Sequence, residues 1–282
     1  MCAFYVSPLV DIKEVDLSTT VSAVASSVGA LVVRNPWMGK ENVKMFTTNA
    51  GEFIDTWGKP TENLGNYCDI LSGAGFHTYG NALWSVGVRP PDATFAGLAS
   101  KSTGTAQLSA SFNSLPTTGA SSFNLQDFPG GDVDEFQNSV TPAGPIDFLS
   151  VWRGASANRI RIASITADVY DKMVRQKLYL GWPIAPYVLA LDTILEKNDN
   201  KAFLIIVQFC PQGGNTADET NWQVVEVFNV STDQAALDDQ GRSKFAETVI
   251  NEQSKYIRIA LNEAQKDTSY VVATSNWVTF TG

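Results

Sequence analysis

The main pattern along the chain is a series of short apolar runs ended by turn residues, which is typical of strands. Residues 10–15 alternate apolar and charged side chains, which predicts a short strand on an extended arm. The run Gly29–Val33 ends at an Asn-Pro pair and predicts a buried strand. Alternation over Ala82–Val88, ended by two prolines, predicts a further strand with Trp84 on its inward face.

Two helices are predicted between these strands. Asn49 fits the N-cap position of the first helix and Glu52 the reciprocal capping position three residues later. Gly58 and the following Lys-Pro pair end that helix. Its inward face is predicted to carry Phe53, Ile54 and Trp57. The second helix is predicted from Asn66 to Tyr79, with the inward residues Tyr67, Ile70, Leu71 and Ala74.

The second half of the chain is predicted to be richer in strands. Phe203–Phe209 predicts a buried strand, and a Gly-Gly turn joins it to Trp222–Val230, so the two predict a hairpin. A turn is predicted at Asp238–Gly241, followed by a helix over Ser243–Glu252 with Phe245 and Val249 inward. Further predicted strands are Arg159–Ile165, with its two arginines on one face, Tyr256–Ile259 and Tyr270–Ala273. The predicted fold class is α+β, with mixed sheets flanked by helices.

Composition changes between these halves. Of the 24 residues from Ser100 to Phe123, 11 are Ser or Thr and one is charged. This composition suits exposed strands and offers little for a large core, so 92–150 is predicted to be an inserted β-rich outer domain or a partly ordered excursion. The predicted organisation is an arm (1–22), a first domain segment (23–91), the insertion (92–150) and a second domain segment (151–282).

Net charge excludes two function classes. The chain has 20 basic and 29 acidic residues, a formal charge of −9, which argues against non-specific nucleic-acid binding and against anionic membrane surfaces. Only 17% of residues are charged, against about 25% in typical domains. No apolar run approaches the ~20 residues that span a bilayer, and the first residues lack a secretion signal, so we expect a soluble protein that is not exported conventionally.

Residues with catalytic or metal-binding chemistry are few. His77 is the one histidine, and Cys68 lies nine residues before it, but no triad pattern surrounds them. Asp132 and Asp134 resemble the start of a calcium loop, but the glycine and the closing glutamate of that loop are missing. No group of residues specifies a reaction, so we expect no enzyme activity, no cofactor and no metal.

Several segments, taken in order, resemble one family, the tail sheath proteins of contractile-tailed bacteriophages. The first, Ser7–Ser18, is similar to the family's Ser-Pro-Gly-Val opening and the alternating stretch that follows, with Leu9 in place of the glycine. The resemblance covers roughly 1–91 and 154–282. The other matching segments are Gly29–Val33, Thr47–Phe53, Trp57–Pro60, Phe76–Val86, Gly154–Ile162, Val225–Ser231 and Ser254–Ile257.

The resemblance implies a structural role in a virion tail, assembled in the host cytoplasm. Sheath subunits form six-fold rings that stack helically around a tail tube, and contraction drives the tube through the host envelope. The implied partners are other copies of the chain, the tube protein, the baseplate and the tail terminator, with no direct nucleic-acid contact and no membrane insertion. Extended arms add strands to neighbouring sheets, and the residues implied for this are Val10, Asp11, Ile12, Lys13, Glu14 and Val15.

Family members usually continue past a segment like Trp277–Gly282 into a further domain near the tube. We therefore expect the chain to correspond to the N-terminal and outer part of a longer sheath subunit. Two other function classes stay open from the sequence. One is a surface module, seated in 92–150, that binds a receptor or glycan. The other is an enzyme that uses His77.

Overall fold

The computed structural model describes residues 27–61, 65–99, 133–139, 142, 144–167, 170, 200–269 and 277–280. These residues form two compact units. Unit 1 comprises 27–36 and the described residues of 42–88. Unit 2 comprises 37–41 and the described residues from 89 onward, so a short segment between two strands of unit 1 belongs to unit 2.

Unit 1 is a three-stranded sheet with two helices. Strands β1 and β3 are parallel over seven residue pairs, and β2 is antiparallel to β3, giving the order β1-β3-β2. Two helices form the crossover between the strands, as parallel pairing requires. In chain order the elements are β1 (Val28–Arg34), β2 (Lys44–Thr47), α1 (Ala50–Trp57), α2 (Tyr67–Phe76) and β3 (Ala82–Val88).

The core of unit 1 lies between this sheet and its helices. Trp57 is fully buried, and its indole Nε1 donates to Ser85 Oγ at 2.8 Å. The ring lies over β3 at Gly87, where a Cβ would come within 2.4 Å of it. Small residues on this face of β3 therefore make room for the tryptophan. The buried apolar residues are Val33, Phe53, Trp57, Ile70 and Leu83.

Unit 2 contains two antiparallel sheets, with the orders β4-β5-β9 and β10-β6-β7-β8. In the first sheet, Ala99 of β4 pairs with Asp147 of β5. In chain order the elements are β4 (Phe95–Ala99), α3 (Phe136–Ser139), β5 (Ile146–Arg153), β6 (Ile160–Thr166), β7 (Ala202–Phe209), β8 (Gln223–Ser231), α4 (Ala246–Gln253), β9 (Ile257–Leu261) and β10 (Val278–Thr279).

The core of unit 2 is built around β7. All eight residues of this strand are buried, because alternate side chains contribute to two apolar clusters on opposite faces of its sheet. The larger cluster joins residues of both sheets with residues of α3 and α4, and it includes Phe148, Ile205 and Ile259. A strand buried on both faces is apolar on both, which is why the sequence of β7 is almost one continuous apolar run.

The α+β class is confirmed, and several predicted elements differ in detail. Strand β2 was not predicted, because four residues are too few to show a period. Helix α2 ends at Phe76 and not at Tyr79, and its exposed residues include Tyr67 and Leu71, which were predicted to face inward. The inward position is instead held by Gly73, because a Cβ there would lie 2.2 Å from the Phe53 ring.

Two strand predictions were wrong about burial. Strand β1 is buried on one face only, since Val28 and Val32 are exposed. Trp84 also faces solvent, although Trp57 and Trp222 are buried. The predicted hairpin of β7 and β8 is confirmed. The predicted strand over Tyr270–Ala273 lies outside the described residues.

Both ends of the predicted insertion are strands of unit 2. Phe95 and Leu98 of β4 and Phe148 of β5 are buried in its larger cluster. Residues 100–132 lie outside the described residues. The assignment of 92–150 to an outer domain, and the other predicted domain boundaries, stay predictions.

Candidate interaction surface

The two faces of the unit 1 sheet differ sharply. One face is covered by α1 and α2. On the other face, alternate residues of all three strands point to solvent, and most of them are apolar. We call this surface the apolar face; its residues are Val28, Ala30 and Val32 of β1, Phe46 of β2, and Ala82, Trp84, Val86 and Val88 of β3.

Aromatic residues form the middle of the apolar face. Phe46 and Trp84 are cross-strand partners, and their ring centroids lie 4.9 Å apart. Trp84 is also the register partner of Ala30 on the other side of β3, so the indole has a small neighbour there. The exposed fractions are 63% for Val28, 57% for Val32, 45% for Phe46, 44% for Trp84 and 42% for Val88. Contiguous exposed apolar surface of this kind is typical of interaction sites.

The charges that border the apolar face are basic and lie at one end. Lys44 is the register partner of Val86, and Arg34 is the register partner of Val88. Asp69 of α2 accepts from Arg34 Nε at 2.9 Å and from Arg34 Nη2 at 3.1 Å. The hydrogen bond from Arg34 lowers the pKa of Asp69 below its ordinary value. Arg34 is therefore held in place by Asp69, whereas Lys44 is not part of this ion pair.

Asp69 also affects the edge of the sheet. The backbone N–H of Asn35 donates to Val88 O across the sheet, so the N–H of the preceding residue, Arg34, points away from β3. That N–H donates to Asp69 Oδ2 at 3.0 Å. Among the described residues, β1 pairs only with β3, so this carboxylate closes one end of the outer edge of β1.

The N-terminus of α1 has the predicted cap. Asn49 Oδ1 accepts from the backbone N–H of Glu52 at 2.8 Å, which confirms Asn49 as the N-cap. Glu52 Oε2 accepts from the backbone N–H of Thr48, at 2.9 Å, one residue before the position of a standard capping box. The hydrogen bonds from Thr48 lower the pKa of Glu52.

A buried ion cluster fixes the segment 37–41 within unit 2. Glu41 accepts from Arg153 Nε at 2.6 Å and from Arg153 Nη2 at 2.7 Å, a bidentate pair. Arg89 Nη1 lies 4.0 Å from Glu41 Oε1 and donates to Gly39 O at 2.9 Å. Burial lowers the pKa of Arg89 to about 10. The cluster joins Glu41 and Arg89, both of unit 2, to the last residue of strand β5.

A second arginine site lies on strand β6. Arg161 Cζ is 4.2 Å from the Trp222 ring centroid and 5.0 Å from the Trp277 ring centroid. Its guanidinium also donates to Glu219 at 2.6 Å and 3.0 Å, and the hydrogen bond lowers the pKa of that carboxyl. Arg161 is 5% exposed and is therefore a packed structural site. Arg159, predicted on the same strand, lies in the turn just before β6 and donates to Gly214 O at 2.7 Å.

Unit 2 presents one exposed large apolar side chain among its described residues, Leu237, on a hairpin of residues 236–244. Leu237 pairs with Ser243 in an antiparallel bridge, and Lys244 N–H donates to Ala236 O at 2.8 Å. Asp238 Oδ1 accepts from the backbone N–H groups of Gln240 and Arg242, each at 2.8 Å. These bonds confirm the turn predicted at this point and hold Leu237 at the surface.

Of the residues considered for catalysis and metal binding, His77 and Asp134 make contacts within the described part of the chain, whereas Asp132 lies outside the described residues. His77 Nε2 lies 3.0 Å from Thr47 Oγ1, while Cys68 lies in the first turn of α2, about 13 Å away along the helix axis. Asp134 accepts from Arg258 Nε at 2.9 Å and pairs with Lys40. The described residues contain no group of three or more potential metal ligands.

The arm residues predicted to add a strand, Val10–Val15, lie outside the described residues, so their role stays a prediction.

The sequence analysis did not predict the apolar face, because both faces of β3 carry apolar residues. The available signal was residue size: Ser85 and Gly87 are small where Trp57 packs, and larger residues alternate with them. No helix in the described part of the chain is long and apolar enough to cross a membrane.

Comparison with known proteins shows similarity among solved structures. No protein-family model matches the chain. No curated protein matches it. Among solved structures, the chain is similar to a sheath tail protein from Listeria innocua, with a TM-score of 0.40 and 8% sequence identity. The match covers 95% of this chain and 37% of that chain.

Proposed function

We propose that the chain is a structural subunit of a contractile phage tail sheath. The observation that carries the proposal is that segments resembling the sheath family coincide with junctions that build unit 1. Thr47–Phe53 contains the end of β2 and the N-cap of α1, and Trp57–Pro60 contains the end of α1. Phe76–Val86 contains the end of α2, a turn and most of β3. The resemblance therefore concerns architecture, as expected for a subunit that works by assembly.

In this proposal the subunits form stacked hexameric rings around the tail tube. Their partners are other copies, the tube protein, the baseplate and the tail terminator. Residues Val10–Val15 add as a strand to a sheet of a neighbouring subunit, where backbone hydrogen bonds supply the attachment. An open helical stack uses heterologous contacts between copies. Repacking of these contacts on contraction drives the tube through the host envelope without a nucleotide.

Two features of the described residues support an assembly role. The apolar face offers a contiguous surface for a partner, and it carries no carboxylate among its members. The buried cluster of Glu41, Arg89 and Arg153 gives unit 2 a firm attachment for the segment 37–41. A subunit that transmits force needs such attachments where the chain passes from one unit to the other.

The proposal is tested by deleting the gene in the phage that encodes it and imaging the particles by negative stain. We expect tubes and baseplates without a striated sheath, and recovery of the sheath on complementation with the intact gene. Striated contractile tails in the deletion strain would contradict the proposal.

A surface-binding module is the second candidate, and the pairing of β4 with β5 favours it. Because Ala99 and Asp147 are register partners, the chain between them leaves and re-enters the sheet at adjacent positions, as an inserted module does. Replacing 100–132 by a short Gly/Ser linker tests this candidate. Loss of adsorption with intact tails would favour it, and normal adsorption would exclude it.

A further inference from the structure

The exposed large apolar residues of the described chain are distributed unevenly. Eight of the nine lie in unit 1, and five of these eight are on the apolar face. The ninth, Leu237, lies in unit 2. We propose that the apolar face binds the hairpin tip, residues 237–241, of a second copy of the chain. This inference rests on the proposed function, because it names the contact by which one subunit recognises the next.

The apolar face suits a small protruding partner. Three strands of up to seven residues give a surface of about 14 Å by 24 Å. Docking on a surface of this size buries less than the ~1,200 Å² of a standard stable interface. Such a contact is weak between two isolated copies, and it becomes effective where each subunit is held by several contacts at once.

The hairpin tip supplies an apolar anchor on an ordered support. Leu237 is 62% exposed, although the turn beneath it is fixed by backbone hydrogen bonds and by Asp238. An exposed leucine on an ordered turn loses little conformational freedom on binding, which favours its use as an anchor.

Charge favours this partner over a second apolar face. If the apolar faces of two copies packed against each other, their basic ends would either meet or leave Lys44 without an opposite charge. The hairpin tip carries Asp238 and Asp239, and Asp239 is exposed. Asp238 already pairs with Arg242 Nε at 3.0 Å, so Asp239 is the carboxylate proposed to approach Lys44. The contact joins different surfaces of the two copies and is therefore heterologous, as an open stack requires.

Disulfide trapping tests the contact with the full chain. Val32→Cys and Gln240→Cys are placed in separate, differently tagged chains in which Cys2 and Cys68 are replaced by Ser, so that Leu237 stays in place; Gln240 is exposed in the same hairpin tip. After mild oxidation we expect at least about tenfold more mixed disulfide than from the control pair Asp55→Cys and Gln240→Cys. Asp55 is exposed on α1, on the other side of the sheet. A yield equal to that of the control would overturn the inference.

Two further measurements separate the alternatives. Predominant Val32→Cys homodimers would show face-to-face pairing and overturn the inference, as would a disulfide formed within one chain carrying both cysteines. Lys44→Glu is expected to reduce the mixed disulfide at least about threefold, and Asp239→Lys in the partner chain to restore it. Intact sheaths on phage carrying Leu237→Asp would overturn this inference but leave the proposed function standing. Intact sheaths on phage that lack the gene would overturn the proposed function itself.

Discussion

Replacing Glu41 by glutamine tests the buried ion cluster of unit 2. The carboxylate is the negative charge between two guanidinium groups, and the side chains of Glu41, Arg89 and Arg153 are 5%, 4% and 2% exposed. Glu41→Gln keeps the shape of the side chain but removes its charge. It also places an amide N–H₂ group where one carboxylate oxygen accepted from Arg153.

The expected loss follows from the burial of the remaining charges. Breaking a buried ion pair by removing one partner lowers the free energy of unfolding by about 3–5 kcal/mol. Domains are stable by about 5–15 kcal/mol, so this loss is a large fraction of the total. At about 2–4 °C per kcal/mol for a domain of this size, the melting temperature should fall by at least about 6 °C.

Urea unfolding followed by tryptophan fluorescence and circular dichroism measures the change. The matched control is Glu263→Gln, because the Glu263 side chain is 82% exposed and pairs with Lys266 at the surface. Its expected loss is below about 1 kcal/mol. A loss for Glu41→Gln no greater than that of the control would refute the reasoning. Adding Arg153→Met to Glu41→Gln should recover part of the loss, since it removes one uncompensated charge.

Three further predictions concern single side chains. Asn49→Ala removes the cap of α1 and should lower the free energy of unfolding by about 1 kcal/mol in urea titrations. Gly87→Ala should lower it by about 1–3 kcal/mol, because its Cβ would lie 2.4 Å from the Trp57 ring, whereas Gly75→Ala meets no atom within 4 Å and should raise it slightly. Burial raises the pKa of Glu226, so the folded state binds this proton more tightly than the unfolded state. Relative to Glu226→Gln, the wild type should therefore become less stable as pH rises from about 4.5 through the folded-state pKa, and urea unfolding across that range measures it.

Much of the fold could be predicted from local patterns. The apolar run of β7 indicated a buried strand, and the spacing of Asn49 and Glu52 indicated the start of α1. These signals are local because strand burial and helix capping depend on neighbouring residues. The confirmed elements are those whose local sequence contains such an apolar run or capping pair.

The features that were missed depend on contacts between distant residues. Glu41 and Arg153 lie 112 positions apart, so no local pattern indicates that they pair. The outward orientation of Trp84 is set by Trp57, which fills the opposite side of β3 above Gly87. Hydrophobicity alone therefore does not indicate the apolar face, since a strand with apolar residues on both faces does not show which face is covered.

The most direct test of the central claim is immunogold labelling of native phage particles with antibodies against the chain, viewed by negative stain. The proposed sheath role predicts gold along the whole striated length of extended tails and along the shortened sheath of contracted ones. Labelling confined to one end of the tail, or absent from the sheath, would contradict it.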